Sequence, residues 1–559
     1  MNYKNTYENW MAFDGMEESL RTELLGLSDQ SEIEDRFYQG LEFGTAGMRG
    51  TLGVGTNRMN IYVVARATYG LASYLLSQKQ EEAGVAIAYD SRIMSKEFAQ
   101  VAAQVLAAQG VKAYLFEGLR PVPVLSFTVR HLKTAAGIVI TASHNPQQYN
   151  GYKVYGPDGA QMTSEAADAV VGEIDKITDY FSVPLAEVDN DNIISIGKEI
   201  DDAYTAAVME VVKPNTCPDL KVIYTPIHGS GNIPVRRVLK EQGFDNVAIV
   251  PEQEAPDGRF PTAPYPNPEE KSVFDLAIAM AERDGADIIV GTDPDCDRVG
   301  AVCRKPDGDY VVFTGNQTGA LMVDYYLKTR DLPDNKTVVK TIVTSELGGV
   351  VARANGADVV DVLTGFKYIG ECMTKWQETK ERTFALGYEE SYGYLAGNYA
   401  RDKDAVIATA LICEMAAYYK NKGMTLYDAL EALYQKYGYF LEGIQSIGLA
   451  GIEGKQKIAA IMESFRNVHF DNFGDETLVE FNDYLSSEST ALPSGEKVKI
   501  DLPKSNVLKF IFSGKSWYAL RPSGTEPKLK IYYSVVGKTR KEAEEKMEIL
   551  KALVNQNIN

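Results

Sequence analysis

Histidine, cysteine and tryptophan are scarce in this chain, with 4, 5 and 3 copies in 559 residues. His131, His144, His228 and His469 are too scattered to suggest a zinc site built on imidazoles, as a metal-dependent serine phosphatase would need. Cys217, Cys296, Cys303, Cys372 and Cys413 are odd in number and show no C-x-x-C pair, so reduced thiols are expected rather than disulfides or a redox motif. No apolar run approaches a membrane span of ~18 residues, and the N-terminal stretch has no hydrophobic leader core. Positive charge is also short. A net charge of −20 opposes general binding to nucleic acid or anionic membrane, and the expected setting is cytoplasmic.

Several chemistries are absent by pattern. No G-x-x-x-x-G-K-[ST] occurs, and Gly53-Val54-Gly55 and Gly229-Ser230-Gly231 lack the third glycine of a dinucleotide fingerprint, which argues against a kinase, an ATPase or a dinucleotide enzyme. Ser143 is not in a G-x-S-x-G elbow, so a serine hydrolase is not indicated.

What remains is an ordinary globular composition, 45% hydrophobic and 24% charged, long enough for several domains. Val85–Tyr89 reads as a buried strand ending at Asp90-Ser91-Arg92. Ser95 is placed to cap a helix with Phe98, Val101, Ala102 and Val105 on one face, stopped by Gly110. Strands at Val111–Phe116 and Ala136–Thr141 flank a helix within Pro121–Leu132. This alternation predicts an α/β layer with a parallel or mixed sheet. It restarts after the turn-rich stretches Lys213–Pro218 and Asp331–Asn335. The second unit carries a helical run Ser272–Arg283 and a strand Ile288–Thr292, the third a strand Thr341–Thr344 and a helix Ala405–Lys420. The last stretch differs: strands at Val507–Phe512 and Lys528–Val536 precede a charged helix bearing Ala543, Met547, Leu550 and Leu553, an α+β order. The expected units are 1–212, 213–332, 333–447 and 448–559.

Loops carry the candidate chemistry. Ser143, in Ala142-Ser143-His144-Asn145-Pro146, lies just past a strand's carboxyl end, where α/β sheets place ligands. Asp293, Asp295 and Asp297 alternate after another strand and can converge on one hard cation. Arg298 and Arg304 stand where an EF-hand needs Gly and Glu, so that reading fails, and Mg²⁺ is favoured over Ca²⁺. Gly387-Tyr388-Glu389-Glu390-Ser391-Tyr392-Gly393 offers carboxylates and a hydroxyl to sugar hydroxyls, or is simply a capped loop. Arg521-Pro522-Ser523-Gly524-Thr525-Glu526-Pro527 is a phosphate cradle or a turn-rich hairpin.

Taken together and in this order, the four loops resemble the α-D-phosphohexomutase superfamily over most of the chain. The resemblance implies three α/β domains and a fourth of TATA-binding-protein-like α+β topology around a central cleft. It makes Ser143 the phosphoserine, Asp293, Asp295 and Asp297 ligands of a Mg²⁺ that also touches its phosphate, and Arg298 the arginine beside that metal. Glu389 and Ser391 match the sugar contacts, with Tyr388 departing from a plain G-E-x-S, while Arg521, Ser523, Gly524 and Thr525 match the clamp on the non-reacting phosphate. Arg49 in Gly47-Met48-Arg49-Gly50, Lys153, Thr364-Gly365-Phe366-Lys367 and Lys403 resemble cleft residues for proton transfer and orientation. His144 and Lys153 are the acid/base candidates. The implied activity interconverts glucose 1-phosphate and glucose 6-phosphate, with glucose 1,6-bisphosphate as intermediate and activator. Gly44–Gly50 and the Gly-Tyr-Glu-Glu-Ser-Tyr-Gly form look most like the branch that holds bacterial α-phosphoglucomutases and eukaryotic phosphopentomutases. Phosphopentomutase or phosphomannomutase activity and a non-catalytic sugar-phosphate sensor are the alternatives. Small sugar phosphates are the expected partners, and no oligomeric state is implied.

Overall fold

The computed structural model describes residues 2–44, 47–449, 451–467, 472–523 and 528–558. Three helices, Tyr3–Ala12, Glu18–Gly26 and Gln30–Phe37, gather first around the buried Trp10, Leu24 and Phe37. The first sheet then runs Met48–Thr51, Tyr149–Tyr155, Ala136–Ile140, Val85–Tyr89, Ala113–Phe116, Ile193–Ile196 in spatial order. Its last four strands are mutually parallel, and Tyr149–Tyr155 is antiparallel to Ala136–Ile140. Every residue of Val85–Tyr89 is buried because successive side chains enter different cores: Val85, Ile87 and Tyr89 on one face, Ala86 and Ala88 on the other.

A second sheet sets Val222–Thr225 parallel to Val247–Ile249 and Ile288–Thr292, with Val299–Arg304 and Tyr310–Val312 added antiparallel. A third sets Lys336–Thr341 between Asp358–Val362 and Thr383–Glu389, all parallel, with Gly393–Ala396 antiparallel at its edge. The fourth sheet is antiparallel, from Tyr439–Gly448 and Lys528–Gly537 through Trp517–Pro522 and Leu508–Phe512 to Glu476–Asp483. Met462 and Phe465 of helix Gly451–Asn467 and Met547 and Leu550 of helix Arg540–Asn555 pack on it. The chain thus has three α/β units with mixed sheets and a β-rich C-terminal α+β unit.

Helix Ala405–Lys420 is buried on nearly all sides, because it belongs to the third unit yet packs on Asn232–Glu241, Ile288–Thr292 and Val299–Arg304 of the second. A single hydrophobic core therefore runs through the first three units and fixes their relative positions.

Local expectations need correction at several points. Ser95 does not cap its helix: Met94 takes the N-cap position in a left-handed conformation, and Ser95 Oγ donates to Asp90 Oδ1 at 2.8 Å. The third unit's strand is Lys336–Thr341, one position of which overlaps the expected Thr341–Thr344; residues 342–345 turn away so that Thr344 can reach Glu390. The turn-rich stretch at 331–335 does not end the second unit. Helix Gly315–Thr329 lies on the third sheet, where Gly319 leaves room for the Tyr388 ring. Tyr439–Gly448 pairs along its whole length with Lys528–Gly537, so it belongs to the fourth sheet rather than the third unit. The five cysteines are free thiols. No helix among the described residues is long and apolar enough to cross a membrane.

Candidate active site

Strand Ala136–Ile140 is wholly buried and delivers Ser143 to a tight loop. Thr141 Oγ1 accepts the Ser143 N–H at 2.8 Å and itself lies 2.6 Å from Asp90 Oδ2 and 3.1 Å from Asp295 Oδ2. Ser143 is buried at φ +52°, a left-handed conformation that costs a non-glycine residue roughly 1–2 kcal/mol. The Arg92 guanidinium holds that shape. Its Nη1 donates to the carbonyls of Pro146 and Tyr149 at 3.0 and 3.2 Å, and its Nη2 to those of Ser143 and Asn145. Arg92 is buried against the Phe260 ring, with Nε 3.3 Å from Asp90 Oδ2. In the sequence Asp90-Ser91-Arg92 reads only as a strand end. An Asp-x-Arg pair at the mouth of an entirely apolar strand was the available signal.

The aspartate loop follows strand Ile288–Thr292. Residues alternate there: Cys296 points into the core, close to Gly231, while the carboxylates of Asp293, Asp295 and Asp297 converge within 4.8 Å of one another. Asp293 Oδ1 accepts the N–H groups of Asp297 and Arg298 at 3.1 and 3.0 Å. Ser143 Oγ donates to Asp293 Oδ2 across 3.1 Å, joining loops 150 residues apart. Lys153 Nζ is 2.9 Å from Asp295 Oδ2 and 3.6 Å from Asp297 Oδ2, and Lys403 Nζ is 3.3 Å from the latter. Burial, with the charges of Asp295 and Asp297, raises the Asp293 carboxyl well above the usual range. For Asp295 burial is outweighed by Lys153, which holds it below that range. Asp295 Oδ1 and Asp297 Oδ1 are buried without a hydrogen-bond donor. Clustered carboxylates with orphaned oxygens suit a divalent cation, which would satisfy what the protein leaves unpaired.

His144 Nδ1 stands 3.1 Å from Ser143 Oγ. Burial first, then the nearby Arg298 and Arg49, push this imidazole well below its usual value, which favours the neutral ring. Arg49 Nη1 donates to Asn145 Oδ1 at 2.7 Å from strand Met48–Thr51. Gly47 makes that approach feasible: at φ +91°, a Cβ there would come 1.9 Å from the Tyr152 carbonyl oxygen. Arg298 Nη1 donates to Glu269 Oε1 at 2.7 Å. Burial opposes its charge, but Glu269, Asp297 and Asp293 outweigh that and keep it cationic.

Glu389 ends strand Thr383–Glu389, and its Oε1 accepts the Gly365 N–H at 2.9 Å. Burial pushes its carboxyl up to about 7, with Glu390 adding to the shift and Lys403 opposing it. The departure at Tyr388 lies within the strand: its ring fills space left by Gly319 and Gly348 on the helices behind, and the loop itself starts at Glu390. Glu390 Oε2 is held by the Thr341 and Thr344 hydroxyls, both at 3.0 Å. The Lys403 stem passes over Gly393, where a Cβ would sit 2.1 Å from its Cδ.

The structure therefore gathers Ser143, His144, Lys153, the three aspartates, Arg298, Glu389, Gly365 and Lys403. Ser391 is half-buried on the turn after Glu390, and Thr364 Oγ1 is buried with no hydrogen-bond partner. Arg521, the last residue but one of strand Trp517–Pro522, lies beside Tyr532 and Tyr368, and Ser523 N–H donates to the Lys528 carbonyl at 2.8 Å. Gly524 and Thr525 lie outside the described residues.

Residues 40–181, 202–308 and 314–437 match phosphoglucomutase/phosphomannomutase alpha/beta/alpha domains I, II and III. The chain is 37% identical over 531 residues to a phosphoglucomutase of Staphylococcus haemolyticus, covering 94% of this chain and 96% of that protein. It is 39% identical over 510 residues to a phosphoglucomutase of Staphylococcus aureus, covering 90% and 92%. Among solved structures, the open form of the Paramecium phosphoprotein pp63/parafusin, a phosphoglucomutase, superposes with a TM-score of 0.70 at 16% identity, covering 93% of this chain and 95% of that one.

Proposed function

The chain belongs to the phosphoglucomutase/phosphomannomutase family, and on that premise we propose that it interconverts α-D-glucose 1-phosphate and glucose 6-phosphate through a phosphorylated Ser143 and a glucose 1,6-bisphosphate intermediate. It is an intramolecular phosphotransferase. The observation that carries the reading is the 3.1 Å approach of Ser143 Oγ to Asp293 within the three-aspartate cluster.

Asp293, Asp295 and Asp297 would hold Mg²⁺, which when bound supplies positive charge against the transferring phosphoryl oxygens. The chain's own residues do the rest. Arg298 stays cationic at the edge of the cluster and stabilises the charge that spreads over the equatorial oxygens. His144, 3.1 Å from Ser143 Oγ, and Lys153, 2.9 Å from Asp295 Oδ2, form the acid/base pair, one taking the proton of the attacking sugar hydroxyl and the other returning a proton as the serine oxygen leaves. Glu389, Ser391, Thr364 and Gly365 take the sugar hydroxyls, and Lys403 the anionic face of the substrate. Arg49 steadies the serine loop through Asn145. Arg521, Ser523, Gly524 and Thr525 clamp the phosphate that does not react. Because the bisphosphate must turn round and present its other phosphate, that clamp works by charge rather than by shape. Holding both partners aligned contributes about 7–11 kcal/mol to the acceleration. We place the enzyme in the cytoplasm, acting on small sugar phosphates.

A coupled assay with glucose, mannose and ribose 1-phosphates, Mg²⁺ and trace bisphosphate tests the assignment. Glucose 1-phosphate is expected to give the highest kcat/KM, with Ser143→Ala inactive and free of phosphopeptide. A clear ribose preference would overturn the substrate, and an active Ser143→Ala the mechanism.

A further inference from the structure

Lys403 reaches the site on a buried strap, Arg401-Asp402-Lys403-Asp404, between strand Gly393–Ala396 and helix Ala405–Lys420. Each carboxylate of the strap is tied to the first unit by a tyrosine. Asp404 Oδ2 accepts Tyr204 Oη at 2.8 Å, while Asp404 Oδ1 caps the helix through Val406 N–H and Ile407 N–H. Asp402 Oδ2 accepts Tyr155 Oη at 2.7 Å and Gln161 Nε2 at 3.3 Å. The other oxygen of Asp402 accepts both the backbone N–H of Lys403, at 2.8 Å, and its Nζ, at 3.1 Å. The two carboxylates thus differ: Asp404 holds a helix, and Asp402 holds the lysine.

Tyr155 belongs to strand Tyr149–Tyr155, which also carries Lys153. Residues two apart on a strand share a face, so the register of this one strand sets both ammonium groups at Asp297 Oδ2. Lys153 arrives directly at 3.6 Å, and Lys403 arrives at 3.3 Å through the Tyr155–Asp402 link. An ammonium has three N–H donors. Asp402 takes one of those on Lys403 as a hydrogen bond, and Asp297 faces the same ammonium as an ion pair at 3.3 Å.

We propose that Asp402 is the positioning residue for Lys403, with Tyr155 locking it across the seam between the first and third units. The proposal rests on the reading of Lys403 as a substrate contact. A four-carbon stem loses much rotamer freedom when it is held. The buried pair supplies that restraint before substrate arrives, so its loss falls on substrate binding.

The test compares kcat and KM of Asp402→Asn, Tyr155→Phe, Tyr204→Phe and Lys403→Met, each with its melting temperature. Tyr204→Phe removes a hydroxyl from the same seam but touches no lysine. KM for glucose 1-phosphate is expected to rise on the order of tenfold in Asp402→Asn and about threefold in Tyr155→Phe, with kcat less affected and Tyr204→Phe like the wild type. The proposal is overturned if Asp402→Asn and Tyr155→Phe match Tyr204→Phe while Lys403→Met is impaired, or if their losses follow melting temperature alone. Should Asp402→Asn fail to fold, Tyr155→Phe decides. An unimpaired Lys403→Met refutes the substrate role of Lys403 itself, whatever the other variants do.

Discussion

Arg92→Met should uncouple the nucleophile loop from the rest of the site. The substitution keeps a long apolar stem against Phe260 but removes the donors that bind the carbonyls of Ser143, Asn145, Pro146 and Tyr149, and leaves Asp90 without its counter-ion. Breaking a buried ion pair from one side costs ~3–5 kcal/mol. The carbonyls of Pro146 and Tyr149 lie near solvent and can be rehydrated, so the loss stays near that range rather than adding a full penalty for each carbonyl. The strain at Ser143, roughly 1–2 kcal/mol, then loses the Arg92 contacts that oppose it and favours relaxation of the loop. A displacement of about 1 Å costs on the order of 10²-fold in rate, or ~2.7 kcal/mol. Glucose 6-phosphate formation would be followed by a coupled dehydrogenase at a temperature where the variant is folded by circular dichroism. kcat should fall on the order of 10²-fold with KM changed much less, and Arg92→Lys should fall between the two. An Arg92→Met enzyme within about twofold of wild-type kcat would refute the argument.

Two further outcomes follow from buried charge. Chelation should abolish turnover and Mg²⁺ should restore it; in Asp295→Asn the Mg²⁺ concentration for half-activity should rise at least on the order of tenfold, and the Mg²⁺-dependent gain in melting temperature should shrink. Glu442 Oε1 is buried with no hydrogen-bond partner, and burial pushes this carboxyl from 4.5 up to about 7. The folded state therefore binds the extra proton, so the stability it confers is full below pH 4.5 and is lost as pH rises through about 7. Glu442→Gln should melt near the wild type at pH 5 and above it at pH 8; an equal difference at both values would refute this.

Much of the site was legible because its parts are local. Ser143 and the three aspartates each follow an apolar strand directly, so both loops can be read from strand ends, whereas the convergence of the three carboxylates comes from a turn in which Cys296 takes φ +53°. Ser95 does not cap because its hydroxyl accepts from Asn150 Nδ2 and donates to Asp90 Oδ1, partners that lie 55 and five positions away along the chain. Tyr388 looked like an interruption of a loop, since nothing in one strand records that Gly319 and Gly348 open a space for its ring.

By itself the sequence determined which strands are buried, where the loops break, and which residue types each loop presents, because backbone period and side-chain polarity act over a few residues. Only the tertiary structure decided that Arg92 grips the serine loop, that Lys153 and Lys403 meet at Asp297, and that helix Gly315–Thr329 sits on the third sheet. Those facts depend on Coulomb and packing terms between groups tens to hundreds of residues apart, and such terms depend on distance in space, which local spacing along the chain does not record.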